Sequence, residues 1–163
     1  MKNTFTKKDK IFLAGSSGMV GKAILRSLKK KGYGIGENIN NLLLPKRKDL
    51  DLLDFNSVSD WFKIHNPDIV IIAAAKVGGI LANSSYPADF LLENLKIQTN
   101  LIEAASLFDV KRILFLGSSC IYPKYASQPI KEEYLLDSPL EKTNDSYAIA
   151  KIAGIKLCES LRK

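Results

Sequence analysis

The chain has 163 residues, a formal charge of +7, 46% hydrophobic and 25% charged residues, which is the length and composition of one ordinary globular domain. No apolar run approaches the roughly 18 residues of a membrane helix, residues 1–10 lack a secretory leader's apolar stretch, and two cysteines far apart have neither metal-ligand nor disulfide-scaffold spacing. The expectation is a cytoplasmic protein without a metal site.

In chain order, residues 1–9 read as an N-terminal tail and Lys10 to Ala14 as a short buried strand stopping at Gly15. Met19 to Lys31 reads as a helix whose apolar residues Val20, Ala23, Ile24 and Leu28 recur at helical spacing. Gly34 to Asn41 reads as a polar loop and Leu42 to Leu44 as the start of a second strand. Val58 to His65 reads as a helix with Ser57 as N-cap, ended by Pro67. Asp68 to Ala75 reads as a continuous apolar strand rich in Ile and Val, the signature of a strand covered on both faces. A helix over Ala88 to Leu107, a buried strand over Arg112 to Gly117, a proline-bearing loop to Asn144 and a helix over Ser146 to Leu161 follow. This alternation predicts an α/β, doubly wound parallel sheet over 10–163. The basic residues are dispersed, apart from Lys29–Lys31 and Lys46–Lys48, and no nucleic-acid motif accompanies them. Lys29–Lys31 reads as a solvated helix end, and His65 as an exposed helix-end residue rather than a ligand.

Gly15-Ser16-Ser17-Gly18-Met19-Val20-Gly21 follows the first strand and opens the first helix. In that context the spacing predicts a Rossmann-type dinucleotide site. Gly15 permits the turn, Gly18 lets backbone approach a pyrophosphate, and Gly21 allows close packing. The phosphates then sit on the helix N-terminus. The second strand runs into Pro45-Lys46-Arg47-Lys48. A guanidinium there suits a 2′-phosphate, so Arg47 favours NADP over NAD; the alternative is a solvated basic turn.

Tyr147 and Lys151 lie four apart near the start of the last helix, on one face and within mutual reach. An ammonium nearby is expected to lower the phenol's pKa and suit Tyr147 for proton transfer, while Lys151 can hold the nicotinamide ribose. Ser118 and Ser119 end a predicted strand, where α/β sheets bind ligands; a hydroxyl there can polarise a carbonyl. Cys120 and Cys158 each also read as small buried apolar residues.

The glycine loop, strand-end serine and Tyr-x-x-x-Lys pair together resemble the extended short-chain dehydrogenase/reductase superfamily. Ala73 to Gly79, Asn83 to Phe90, Gly117 to Pro123 and Tyr147 to Glu159 resemble the GDP-L-fucose synthase family within it. The resemblance implies NADPH-dependent 3,5-epimerisation and 4-reduction of GDP-4-keto-6-deoxy-mannose. It implies catalytic roles for Ser118, Cys120, Tyr147 and Lys151, with Cys120 as epimerisation base, and cofactor contacts from the glycine loop, Arg47, Ala74 and Lys151. It also implies a homodimer through helices 88–107 and 146–161.

Two departures stand out. Ser17 occupies a place where the family often carries a basic residue. The resemblance also implies further strands, a histidine acid and a GDP-sugar domain after the Tyr-bearing helix, whereas His65 precedes the third predicted strand. The expectation is a Rossmann-type domain whose C-terminal substrate domain is missing, not competent for the full cycle alone. A related NAD-dependent epimerase or dehydratase is disfavoured by Arg47, and a silent cofactor-binding or dimerisation module is the alternative from another class.

Overall fold

The computed structural model describes residues 6–162. Four parallel strands pair in the order β2-β1-β3-β4: β1 is Ile11–Ala14, β2 Leu42–Leu43, β3 Ile69–Ile72 and β4 Arg112–Phe115. Ile11 pairs with Ile69, and Ile69 with Arg112. The helices are α1 Met19–Lys30, α2 Phe55–His65, α3 Ile80–Ser85, α4 Pro87–Leu107 and α5 Asp145–Leu161. This is the Rossmann-type doubly wound arrangement. Among the described residues no helix is long and apolar enough to cross a membrane.

The chain divides into two compact units. One comprises the residues up to Ala74 together with Asn100–Leu116, and the other Ala75–Thr99 with Gly117 onward. In the first unit, both faces of the sheet centre are covered. Ile11, Leu13, Ile69 and Ile71 pack with Ile24, Leu25 and Leu28 of α1. On the opposite side Phe12 meets Trp61 and Phe62 of α2, with ring centroids 5.0 and 5.4 Å apart. A polar knot ties three strand starts: Lys111 Nζ is 2.7 Å from Asp9 Oδ1 and 2.8 Å from Asp68 Oδ1. The Asp68 carboxylate also accepts from the Lys10 amide.

Several sequence expectations need correction. The packed stripe of α1 is Ile24, Leu25 and Leu28; Val20 and Ala23 are exposed. Asp54, not Ser57, caps α2: its carboxylate accepts from the Asn56 and Ser57 amides, and the helix starts three residues earlier than expected. Strand β4 is not covered on both faces. Among the described strands it is an edge, and its residues alternate between exposed and half-buried. The 34–41 loop contains a 3-10 turn over Gly36–Asn41, and two short elements were not expected: α3 and a 3-10 turn over Ser119–Ile121. His65 is half-buried, stacked on Trp61 with a centroid separation of 3.9 Å.

Candidate functional site

Strand order reverses at β1, which has β2 on one side and β3 on the other. A crevice beyond the carboxyl ends of β1 and β3 is where such sheets bind ligands, and the glycine turn is built there. Gly15 has φ +82°, a conformation natural for glycine. A Cβ on it would lie 2.7 Å from the Ala74 nitrogen and 2.8 Å from the Ala73 carbonyl carbon. A Cβ on Gly21 would overlap the Gly15 carbonyl oxygen. The turn is thus closed against both the helix it opens and the end of β3. Gly18 is the N-cap of α1, so no side chain satisfies the first-turn amides, and no acidic residue lies in that turn. Helix N-terminal amides left without intrahelical partners attract anions. Ser16 is half-buried; Ser17, Gly18, Met19 and Val20 are exposed. A cradle that admits no Cβ, with a free helix start above it, fits a dinucleotide pyrophosphate.

Arg47 lies in the turn after β2. The Asp49 amide donates to the Lys46 carbonyl at 2.8 Å and the Lys46 amide to the Asp49 carboxylate at 3.2 Å. Arg47 itself is exposed and, among the described residues, makes no ion pair.

Within the second unit, the expected catalytic side chains gather. The Ser118 hydroxyl caps the Ser119–Ile121 turn by accepting from the Cys120 amide, and Cys120 Sγ lies 3.1 Å from Ser118 Oγ. Ser119 itself is exposed at the start of that turn. Tyr147 shares a hydrogen bond with Ser118. Lys151 Nζ lies 5.8 Å from the Tyr147 ring centroid, and Lys151 is only 3% exposed. The turn carrying Ser118 and Cys120 and the start of α5 therefore present four functional groups together.

The electrostatics differ from the sequence expectation. Tyr147's pKa is raised, first by burial and then by the negative charge of a Cys120 thiolate, with the Ser118 bond opposing both. Burial pulls the Lys151 ammonium down, and Cys120 opposes that. Loss of solvent, which disfavours the phenolate, is the leading cause, so Tyr147 is held protonated.

Two residues of this unit went unnoticed in the sequence. Asn94 and Gln98 are 2% and 1% exposed, on the same α4 stripe as Phe90, Leu101 and Ala105. Asn94 grips the Lys76 peptide from both sides, and Gln98 donates to the Ala150 carbonyl. The available signal was an amide at i and i+4 interrupting an otherwise apolar helical stripe.

A glycine-turn Rossmann sheet and a serine, tyrosine and lysine cluster in one chain define a nucleotide-dependent enzyme class. The chain belongs to the NAD dependent epimerase/dehydratase family, whose sequence model matches residues 11–163. More particularly, it is similar to GDP-L-fucose synthases. It is 54% identical to GDP-L-fucose synthase 1 of Arabidopsis thaliana, over 96% of this chain and 46% of that protein. It is 53% identical to the GDP-L-fucose synthase of Escherichia coli strain K12, over 96% of this chain and 47% of that protein. Its structure resembles a GDP-mannoheptose C4 reductase from Campylobacter jejuni with NADP bound, at TM-score 0.88 and 40% identity, covering 96% of this chain and 48% of that one. The chain spans about half the length of the curated relatives it matches.

Proposed function

We propose that the chain is the cofactor-binding and proton-transfer part of an NADPH-dependent enzyme that epimerises and reduces GDP-4-keto-6-deoxy-D-mannose to GDP-L-fucose. The observation that carries this reading is the gathering of Ser118, Cys120, Tyr147 and Lys151 in a chain more than half identical to GDP-L-fucose synthases. Residues 10–163 are read as an NAD(P)-binding domain, preceded by a short tail. Residues 1–5 of that tail lie outside the described residues.

The geometry supports the following roles. Gly15, Ser16, Ser17, Gly18, Met19, Val20 and Gly21 would cradle the pyrophosphate, with Ala74 closing the turn from β3. Arg47, free on its turn, would take the 2′-phosphate; the NADP in the Campylobacter reductase supports that choice. Lys151 would hold the nicotinamide ribose. NADPH, when bound, supplies the hydride for sugar carbon 4. A ketone at carbon 4 acidifies the protons on carbons 3 and 5; Cys120 would act as the base that removes each, and an acid would return it on the other face of the ring. Ser118 holds the ketone oxygen, and its position between Cys120 and Tyr147 lets one anchored oxygen serve both steps. Tyr147 delivers the proton to that oxygen during reduction. A donor must be protonated at working pH, as Tyr147 is; its upward shift moves it further from the working pH at which proton transfer is most efficient, so the acid role rests on its place beside Ser118 and Lys151.

One second reading stands beside it, a silent cofactor-binding or dimerisation module. The deciding experiment is fluorescence titration of the 163-residue chain with NADPH and NADH, with thermal unfolding as a fold control. NADPH is expected to bind more tightly, and Arg47→Ala to cost it about tenfold, the scale of one charge-assisted contact, while leaving NADH unaffected. A folded protein that binds neither dinucleotide would hand the lead to the silent module.

We also propose a homodimer through α4 and α5. Each carries an exposed stripe at helical spacing: Leu92, Lys96 and Thr99 on α4, and Ile149, Ala153, Lys156 and Ser160 on α5, of which Thr99 alone is half-buried.

A further inference from the structure

Helix α4 buries two amide side chains one turn apart, and they are used differently. Asn94 is fully engaged: Oδ1 accepts from the Lys76 amide at 2.9 Å, and Nδ2 donates to the carbonyls of Lys76 at 3.0 Å and Phe90 at 2.7 Å. Gln98 is half engaged. Its Nε2 donates to the Ala150 carbonyl of α5 at 2.5 Å, while its Oε1 is buried with no hydrogen-bond partner among the described residues.

A buried acceptor without a partner destabilises the fold; an apolar side chain of equal volume removes that cost, and the Ala150 carbonyl it would leave lies inside α5, where the helix itself supplies a donor. Glutamine at this position is therefore hard to explain as a stabilising residue. A polar group kept in a core at a cost in stability is known to specify register between helices. The acceptor it selects here is informative: Ala150 sits between Tyr147 and Lys151. A shift of one residue in α5 rotates its side chains by about 100° and would carry both away from the Ser119–Ile121 turn.

We propose that Gln98 is a positioning residue: its bond to the Ala150 carbonyl sets the rotation and rise of α5, so that Tyr147 and Lys151 face Ser118 and Cys120. Asn94 works in parallel on the Lys76 loop, so one stripe of α4 gauges two segments. The inference rests on the catalytic assignment of Tyr147 and Lys151, and its test reads neither cofactor binding nor turnover. Lys151 and Cys120 interact electrostatically, and the rate at which a thiol is alkylated depends on its charged surroundings and access, so Cys120 reports where α5 sits.

The experiment uses the full chain with Cys158→Ala, leaving Cys120 as the single thiol. Iodoacetamide alkylation is timed at one fixed pH beside thermal unfolding, with Lys151→Met as the reference for lost charge. Lys151→Met is expected to slow alkylation about tenfold, the effect of one neighbouring charge. Gln98→Met is expected to melt at or above the parent temperature and yet to slow alkylation about threefold, a fraction of that charge effect. Gln98→Glu, held protonated by burial, keeps a donor and should return the rate to that of the parent. It also decides the matter if Gln98→Met fails to fold. A folded Gln98→Met with the parent rate beside a slowed Lys151→Met overturns the positioning role alone, as does a folded Gln98→Glu that stays slow. A Lys151→Met at the parent rate would mean that α5 does not act on Cys120 and overturns the positioning role, while the catalytic assignment stands or falls by the NADPH titration.

Discussion

A Cβ at Gly21 would run into the Gly15 carbonyl, and one at Gly15 would meet the Ala73–Ala74 peptide, but one at Gly18 would touch only the Gly15 oxygen at 3.4 Å, an ordinary contact. Gly18 also has extended backbone, φ −73° and ψ 171°, which alanine adopts freely. The three glycines should therefore separate in experiment. Gly21→Ala is expected to cost about 3 kcal/mol in urea unfolding, the scale of an overpacked core. Gly18→Ala should stay within about 0.5 kcal/mol of the parent while weakening NADPH binding several-fold, because its methyl would stand where a phosphate approaches. A Gly18→Ala protein that unfolds early but binds normally would contradict this division. The spacing of the glycines, between an apolar run and a helical period, is enough to make these roles legible in the sequence. The protonation of Tyr147 is not legible in that way: helical spacing brings Lys151 close, but burial comes from tertiary packing and here reverses the sign of the shift.

Element boundaries were legible wherever the chain itself supplied the stop. Strand β1 announces itself as a short apolar run and β3 as an Ile/Val run, and both are buried along their length. Ser57 and Asp54 are both good N-cap residues; the choice falls to the one whose carboxylate reaches two amides, which is a matter of geometry rather than type. Helix α3, six residues after a glycine pair, is too short to show a period. The Asp9–Lys111–Asp68 knot was invisible, since its members are 43 to 102 residues apart in sequence. It should be visible in acid. Lys111 is the leading cause that holds the Asp9 carboxyl below its ordinary value. A carboxyl with a depressed folded pKa contributes stability that is complete above its unfolded pKa and lost as pH falls through the folded one. Asp9→Asn is therefore expected to lower the urea midpoint at pH 7 and to flatten its decline below about pH 4, the ordinary aspartate range. Lys111→Met should flatten the same limb. A midpoint-versus-pH curve for Asp9→Asn that runs parallel to the parent's down to acid would remove the knot from the account of acid stability.

At the scale of the whole molecule, alternating runs of apolar strand and amphipathic helix sufficed for the fold class. They did not tell which strands would lie at edges, because one buried face and two look alike in a four-residue run; Arg112 and Leu114 of β4 are exposed for this reason. The same ambiguity touches the outer stripes of α4 and α5. Leu92 and Ile149 are 55% and 49% exposed, which one chain alone tolerates and a two-fold partner would cover. Light scattering after gel filtration is expected to give the mass of two chains, and Ile149→Asp the mass of one. The thermal midpoint of Ile149→Asp, measured where the parent has been diluted to monomer, should be close to the parent's, because a half-exposed position absorbs a charge at little cost within one chain. A parent that stays monomeric at high concentration, or an Ile149→Asp protein that still pairs, would remove the helices as the interface. The placement of Ile149 gives the outcome weight beyond assembly state. It lies between Tyr147 and Lys151 in sequence but points outward, so a partner seated there would brace α5 from the side opposite the Gln98 bond. A helix whose tyrosine and lysine must keep their register is then held from both sides, and monomeric Ile149→Asp should alkylate at Cys120 more slowly than the dimer.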